Sequence, residues 1–280
     1  MAGSGMRMPA HLIERAKSLV TGGAWEVPLA KDAATVVMVC DADDGLHVYL
    51  QRRVRTMRFA PGMYVFPGGR VDDADRVQAR ALIDAEPEPF AASVLALPDD
   101  QSTGHDSLAA RLAAVREVQE ETSHHLDDPM ELQYIAHWVT PVVEDRRYDT
   151  RFYAVDLPAE NLVIENSGES DAERWIRPKD ALAEYGSGLM AMLPPTVAVL
   201  AAFAEADAQG LRAATAIASL AAKPIVPFLP SPVADPSAQS GIRWAIVDVR
   251  TGDELFSFAT PPAGSESGGI HTSLDADAPG

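Results

Sequence analysis

Hydrophobic and polar residues alternate along several short stretches of the chain, and this spacing predicts β-strands. Residues 34–40 and 46–53 are two such stretches. The turn-forming segment 41–45 lies between them, so the two stretches are predicted to pair as a hairpin. Further strands are predicted at 63–66, 131–139 and 147–156, and a second hairpin at 242–258.

Other segments repeat their hydrophobic residues every three or four positions, which predicts helices. Residues 9–20 follow this pattern, and so does the segment 106–124. Strands that alternate with helices but include hairpins predict an α/β fold with a mixed sheet. Downstream, residues 173–182 are predicted to be a strand that enters a helix, residues 194–206 and 208–221 to be Ala-rich helices, and the proline-rich residues 223–237 to be irregular.

The composition narrows the class of protein. The 280 residues suffice for a sizeable core, as one large domain or a domain with appendages. No run of 18 apolar residues and no continuous apolar leader is present, so neither a membrane span nor a secretory signal is predicted. The single cysteine, Cys40, excludes an intramolecular disulfide and is predicted to be buried. These features predict a cytoplasmic protein, and the net charge of −18 argues against a nucleic-acid partner.

Three carboxylates lie within five residues of the predicted helix 106–124. At about 100° per residue, Glu117, Glu120 and Glu121 share a sector of roughly 100°. Like charges so close repel one another on a bare helix, and a counter-charge is the simplest reason to keep them together. Hard divalent cations such as Mg²⁺ take carboxylate oxygen ligands and supply that charge. A solvated acidic surface is the other interpretation of such a run.

A glycine pair upstream favours the metal interpretation. Residues 65–72 predict a strand that runs into a turn at Gly68 and Gly69. Glycine lets the backbone approach a ligand closely. A turn carbonyl together with the carboxylates of the helix would form an oxygen-rich metal site.

These residues resemble the Nudix box, whose pattern is G-x5-E-x7-R-E-U-x-E-E-x-G-U, with U aliphatic. The matching residues are Gly69, Arg116, Glu117, Val118, Glu120 and Glu121. The chain departs from the pattern at Asp75, which replaces Glu, at Ser123, which replaces Gly, and at His124, which replaces an aliphatic residue.

The spacing within this motif also departs from the pattern. Forty residues separate Asp75 from Arg116 where the pattern has seven, so an insertion of about 33 residues splits the box. This split is similar to the Nudix branch that includes the peroxisomal coenzyme A diphosphatases. The resemblance covers about residues 30–205.

The resemblance implies a Nudix α/β/α sandwich with a mixed sheet, an inserted helical segment and C-terminal helices. The predicted organisation is an N-terminal helical leader at 1–30, a Nudix domain at 31–190 with the insertion at about 76–107, a helical and hairpin extension at 191–260, and a disordered tail at 261–280. Family habit and the extra C-terminal elements favour a homodimer.

The resemblance further implies metal-dependent hydrolysis of a pyrophosphate bond in a nucleoside diphosphate linked to another group. The expected cofactor is Mg²⁺ or Mn²⁺. The expected metal ligands are Glu117, Glu120, Glu121 and Gly69, and the expected catalytic residues are Glu117, Glu120, Arg116 and Glu169. Arg116 is expected to organise the box by pairing with one of its carboxylates. The expected substrate-binding residues are Arg53, Arg58 and Arg151, because arginine forks match phosphate oxygens.

Several alternatives stay open at this point. The general base is a carboxylate of the box or one of the later residues Glu144, Glu165 and Glu169. The substrate is coenzyme A, an acyl-CoA, or a dinucleotide such as NADH, with ADP-ribose as a further candidate. A Nudix-fold nucleotide-binding or regulatory protein without turnover is the alternative function.

Overall fold

The computed structural model describes residues 10–57, 60–85, 104–122, 124–158, 170–238 and 240–259. Within these ranges the strands are β1 (Ala30–Ala42), β2 (Gly45–Arg53), β3 (Tyr64–Val65), β4 (Gly68–Arg70), β5 (Gln133–Val139), β6 (Arg147–Asp156), β7 (Ser170–Ile176), β8 (Pro227–Ala234), β9 (Ile242–Asp248) and β10 (Glu254–Ala259). The helices are α1 (Ala10–Val20), α2 (Asp73–Ala85), α3 (Gly104–Thr122), α4 (Pro178–Gly186), α5 (Pro194–Ala208) and α6 (Ala213–Ala221), with a short 3-10 turn at Pro129–Glu131.

The described strands form one mixed sheet. Its order is β10-β9-β8-β5-β6-β1-β2-β3, with β4 paired to β1 and β7 paired to β2. The pairs β1–β6 and β5–β8 are parallel, whereas the other pairs are antiparallel. The predicted α/β class with a mixed sheet is therefore confirmed. Strands β8, β9 and β10 belong to the same sheet, in which β8 lies next to β5. The strands of the predicted C-terminal extension therefore continue the sheet formed by the preceding region.

The side chains of β1 alternate between two hydrophobic layers, because successive strand residues point to opposite faces. Val36 and Met38 pack in the layer that contains Val118 of α3. Val37 and Val39 pack in the opposite layer, with residues of α4, α5 and α6. Burying each such side chain stabilises the fold by roughly 1.5–3 kcal/mol. Helices on both faces of the sheet thus give the predicted three-layer arrangement, and α2 packs against α3 on the outside.

The sequence-based element boundaries agree with the structure to within about five residues, with two exceptions. The prediction of a turn at Gly68 and Gly69 is wrong, because both residues belong to β4, which pairs with β1. The prediction that residues 223–237 are irregular is wrong, because Pro227–Ala234 forms β8. This strand pairs with β9 along its whole length but with β5 only at Pro227 and Phe228. Proline has no backbone N–H, so a strand tolerates it where no neighbouring strand needs that donor. Pro230 and Pro232 lie at positions of β8 that do not pair with β5.

Some predictions concern residues outside the described ranges. These are the leader before residue 10, the central part of the insertion at 86–103, the tail from 260 onwards, and the individual residues Arg58, Ser123, Glu165 and Glu169. Cys40 is buried as predicted. Every helix in the described ranges is too short or too polar to cross a bilayer.

Asp207, at the end of α5, stabilises the β1–β2 turn through direct hydrogen bonds, although it lies far from the turn in the sequence. Its Oδ1 accepts the Leu46 N–H at 2.9 Å, and its Oδ2 accepts a hydrogen bond from Arg177 at 2.9 Å. Gly45 has a φ of +129°, and a Cβ at this position would overlap the Asp207 carboxylate. Burial raises the pKa of Asp207, but the Leu46 and Arg177 hydrogen bonds outweigh burial and leave the pKa below its usual value.

The Asp207→Ala variant is expected to lower the free energy of unfolding by about 2 kcal/mol at pH 7, because the Leu46 N–H and Arg177 both lose their acceptor. Urea denaturation measures this difference. Since the pKa of Asp207 is lower in the folded state, its stabilisation is present above the unfolded pKa of about 3.9 and declines as the pH falls further. The exposed Glu205→Ala on the same helix serves as the control, and an equal effect of both variants would contradict the assignment.

Candidate active site

The glycine pair of β4 lies directly against α3. Strand β4 pairs with β1 at residues 33–35, and this pairing places Gly69 beside the carboxylate of Glu117. A Cβ on Gly69 would overlap the Glu117 carboxyl group, so any larger residue would displace it. The close approach predicted for the turn is therefore present, and its neighbour is a carboxylate of the predicted metal site.

Glu121 is buried at the same place, one helical turn further along α3. Its side chain is only 4% exposed. Its Oε2 accepts the Gly68 N–H at 3.0 Å and a hydrogen bond from Gln51 Nε2 at 2.6 Å. Burial raises the pKa of Glu121 to about 7, and the charge of Glu117 acts in the same direction. Two carboxylates thus share a desolvated region between α3 and the sheet.

Arg116 connects the two separated parts of the motif. Its Nε and Nη2 donate to the two carboxylate oxygens of Asp75, at 3.2 and 3.0 Å, and Nη2 also donates to the Arg70 carbonyl at 3.0 Å. Asp75 lies in the first turn of α2, where its Oδ2 also accepts the Asp72 N–H at 2.8 Å. This bond is the reciprocal half of a capping box. The shorter Asp side chain, in place of Glu, therefore still reaches the arginine.

The same guanidinium also contacts two carboxylates of the helix. Nη1 of Arg116 lies 2.8 Å from Glu117 Oε1 and 3.2 Å from Glu120 Oε2. Its hydrogen bonds to Asp75, then to Glu117, raise the pKa of Arg116 above its usual value. Burial nevertheless raises the pKa of Glu117, despite the contact with Arg116. Glu120, by contrast, has a largely exposed side chain.

The donor atoms suit a hard cation, although they do not form a closed cage. Among the described residues, no group of three or more His, Cys, Asp and Glu side chains is arranged to hold a metal ion. Glu121 is nevertheless buried and Glu117 half-buried, and their partial removal from water disfavours the charged form of each carboxyl. A nearby cation would offset that cost, and carboxylate oxygens are the ligands that Mg²⁺ and related ions take. The residues present therefore fit such an ion.

The predicted substrate-binding arginines have different surroundings. Arg53 ends β2 close enough to Glu121 to lower the pKa of that carboxyl, and its buried Nε has no hydrogen-bond partner within the described residues. Arg151 is buried in β6, and its ionic partner is Asp32 on β1, at 3.6 Å. Asp32 is also paired with Arg76. The structure thus brings Arg53 to the box and places Arg151 in an ion-pair network.

Of the later carboxylates considered as a general base, only Glu144 lies in the described ranges. Burial raises its pKa, and its charged neighbours are His11, Asp145 and Arg15. Two of these lie on α1, and none belongs to the box. The structure therefore does not bring Glu144 together with the residues of the motif.

Sequence reasoning missed Gln51, which contacts Glu121 directly. The signal was available, because Gln51 is a polar residue two positions after Tyr49, on the face of β2 that packs in the hydrophobic layer of α3. A buried amide at such a position needs a hydrogen-bond partner. Only the fold shows that this partner is Glu121, 70 residues away in the chain.

The chain was compared with protein-family models, curated proteins and solved structures. No family model matches the chain. The Caenorhabditis elegans protein named "Putative nudix hydrolase 7" is 28% identical over 175 residues, which are 60% of this chain and 58% of that protein. The chain thus spans less than two thirds of this curated relative's length.

The chain is also similar to solved structures. The NUDIX hydrolase from Alicyclobacillus acidocaldarius superposes with a TM-score of 0.54 at 24% identity, and the match covers 71% of this chain and all of that one. A MutT protein from Methanosarcina mazei Go1 gives a TM-score of 0.40 at 17% identity, over 68% of this chain and all of the other. The Alicyclobacillus match shows that the chain has the Nudix hydrolase fold.

Asp75→Ala is expected to lower the free energy of unfolding by about 3 kcal/mol, because it leaves Arg116 without its buried partner and removes the acceptor for the Asp72 N–H. Chemical denaturation measures the loss. The matched control is Asp73→Ala, an exposed acidic residue in the same helical turn, which should change stability by less than about 0.5 kcal/mol. Equal stability of Asp75→Ala and the wild type would show that this ion pair does not support the fold.

Proposed function

We propose that this chain is a metal-dependent hydrolase that cleaves a pyrophosphate bond in a nucleoside diphosphate linked to another group. The observation that carries the proposal is the joining of Gly69, Asp75 and Arg116 with the carboxylates of α3 at one place in the fold. Similarity to a named Nudix hydrolase and the Nudix fold support the same reaction class.

Glu120 and Glu121 would hold the metal ion, with Glu117 as a third ligand or as the group that acts on the attacking water. The backbone carbonyl of Gly68 or Gly69 in β4 would complete the ligands. When bound, Mg²⁺ or Mn²⁺ supplies positive charge to the phosphate oxygens and lowers the pKa of a coordinated water. Arg116 orients Glu117 and Glu120 through its contacts with both, and Asp75 keeps Arg116 in place.

Phosphate binding in so acidic a chain requires local positive charge, because a net charge of −18 repels an anionic substrate. We assign this role to Arg53, which lies near Glu121, and to Arg58. Arg151 we assign instead to the ion pair that joins β6 to β1. Glu169 stays our candidate for the general base if no carboxylate of the box serves.

The substrate classes that we propose are coenzyme A or its acyl derivatives, and dinucleotides. The separation between Asp75 and Arg116 supports the split-box branch of Nudix proteins, and with it the first class. We propose that the segment between these residues helps to shape the substrate pocket, because it begins in α2 at Asp75 and ends in α3 at Arg116, which contact each other. A homodimer is the assembly that we propose.

The test separates and quantifies the products by anion-exchange chromatography after incubation with Mg²⁺ or Mn²⁺ and coenzyme A, ADP-ribose, NADH or further dinucleotides. Cleaving the pyrophosphate bond of the first three gives two phosphomonoesters and no inorganic phosphate, so the products themselves must be detected. Hydrolysis is expected for at least one member of this panel, and it should disappear when the metal is chelated. Glu120→Gln should reduce kcat/KM at least about 100-fold, since losing a direct ligand should exceed the 10–100-fold effect of losing a hydrogen-bond partner of a ligand. The side chain is largely exposed, so folding should be retained.

Glu131→Gln is the matched control, because it removes one exposed carboxylate from another segment. Its activity should equal that of the wild type. A binding or regulatory protein would instead show ligand affinity with no turnover of any member of the panel. If nothing is hydrolysed and Glu120→Gln leaves ligand affinity unchanged, the enzyme proposal is wrong.

A further inference from the structure

One face of β2 carries three polar residues that point toward α3. They are Tyr49, Gln51 and Arg53, which are spaced two apart and therefore share a face of the strand. Within the part of the chain that the structure describes, each has a buried polar atom without a hydrogen-bond partner: the Tyr49 hydroxyl, Gln51 Oε1 and Arg53 Nε. Three neighbouring side chains with unpaired polar atoms are unusual in a region selected only for stability, because buried polar groups normally have hydrogen-bond partners.

Gln51 is the member of this row that touches the candidate site directly. Its side chain is only 3% exposed, and its Nε2 donates to Glu121 Oε2 at 2.6 Å. The orientation of the amide is fixed by this contact, because turning it over would put Oε1 against a carboxylate oxygen. Gln51 therefore keeps its donor on Glu121 while its own acceptor is left unpaired.

Only one carboxylate oxygen of Glu121 accepts hydrogen bonds from the described residues. The Gly68 N–H and Gln51 Nε2 both end on Oε2, and no other hydrogen bond from the described residues reaches the carboxylate. Oε2 is thus tied to the sheet by two donors, one from the backbone and one from a side chain. Oε1 accepts no hydrogen bond from the described residues, so it has the capacity to bind a ligand.

We propose that Gln51 is a positioning residue that fixes the rotation of the Glu121 carboxylate and presents Oε1 to the metal ion. This inference rests on the proposed function. It predicts different effects on stability and on metal binding. An apolar side chain of similar shape would lose the hydrogen bond to Glu121 but would also remove an unpaired buried acceptor, and Oε2 of Glu121 would keep the Gly68 N–H. Stability should therefore change little, whereas the carboxylate would lose one of its two donors.

The experiment measures Mn²⁺ binding to the full chain by electron paramagnetic resonance, without substrate. Gln51→Met should raise the dissociation constant for Mn²⁺ about tenfold, the lower end of the effect of losing a hydrogen-bond partner of a metal ligand. Its Tm should stay close to that of the wild type. Gln51→Asn, which keeps an amide but withdraws it by one methylene, should weaken binding in the same direction and covers the case in which the first variant does not fold.

Leu50→Met is the matched control, because Leu50 is fully buried on the opposite face of the same strand. It should leave the Mn²⁺ dissociation constant unchanged. If the Gln51 variants bind Mn²⁺ as tightly as this control, the positioning role is overturned. It is also overturned if their binding falls only in proportion to a drop in Tm, because Gln51 would then serve the fold.

Hydrolysis of a substrate from the panel separates this inference from the proposed function. At limiting Mn²⁺ the Gln51→Met variant should be slower than the wild type, and raising the Mn²⁺ concentration should restore most of its kcat. A wild type that hydrolyses while Gln51→Met shows the same Mn²⁺ dependence contradicts only the positioning role. A wild type that binds Mn²⁺ without hydrolysis, with binding weakened in the variant, supports the positioning role and contradicts the proposed function. A wild type that neither binds Mn²⁺ nor hydrolyses overturns both.

Discussion

The bidentate contact between Arg116 and Asp75 is the interaction on which the candidate site depends. It joins residues that are 41 positions apart, and it fastens the start of α2 to the acidic end of α3. The same guanidinium reaches Glu117 and Glu120. Removing one partner of a buried ion pair costs about 3–5 kcal/mol, because the other charge is left unpaired. One arginine therefore links the geometry of the split motif to the stability of the fold.

The charges around Arg116 are not balanced. Arg116 sits among four acidic residues, the two named carboxylates of α3 together with Asp72 and Asp75, so one positive charge cannot neutralise them all. Burial further disfavours the ionised forms of Glu117 and Glu121. The protein retains a deficit of positive charge at the place where the backbone of β4 approaches most closely. A divalent cation followed by an anionic substrate would complete this charge balance.

The sequence predicted most of the fold because hydrophobic periodicity reports burial directly. It failed at β8, since the prolines there indicate irregular backbone and only the limited pairing with β5 explains why they are tolerated. The box carboxylates were predictable from their spacing on one helix. Gln51 was not, because a single glutamine in a strand gives no sign of which distant residue it meets. Contacts between distant segments are decided by topology, which the local pattern does not contain.

The unpaired atoms around Glu121 are best understood as a local conflict between stability and function. A hydrophobic row at Tyr49, Gln51 and Arg53 would match the apolar layer beneath it and remove these three unsatisfied polar atoms. Instead, the chain keeps a hydroxyl, an amide and a guanidinium there. Departures from a consistent core are expected where a site must hold a charged group in one orientation. Two donors hold Glu121, and the Gly68 N–H cannot be removed by mutation without changing the backbone. The side-chain amide of Gln51 is therefore the donor that a substitution can change.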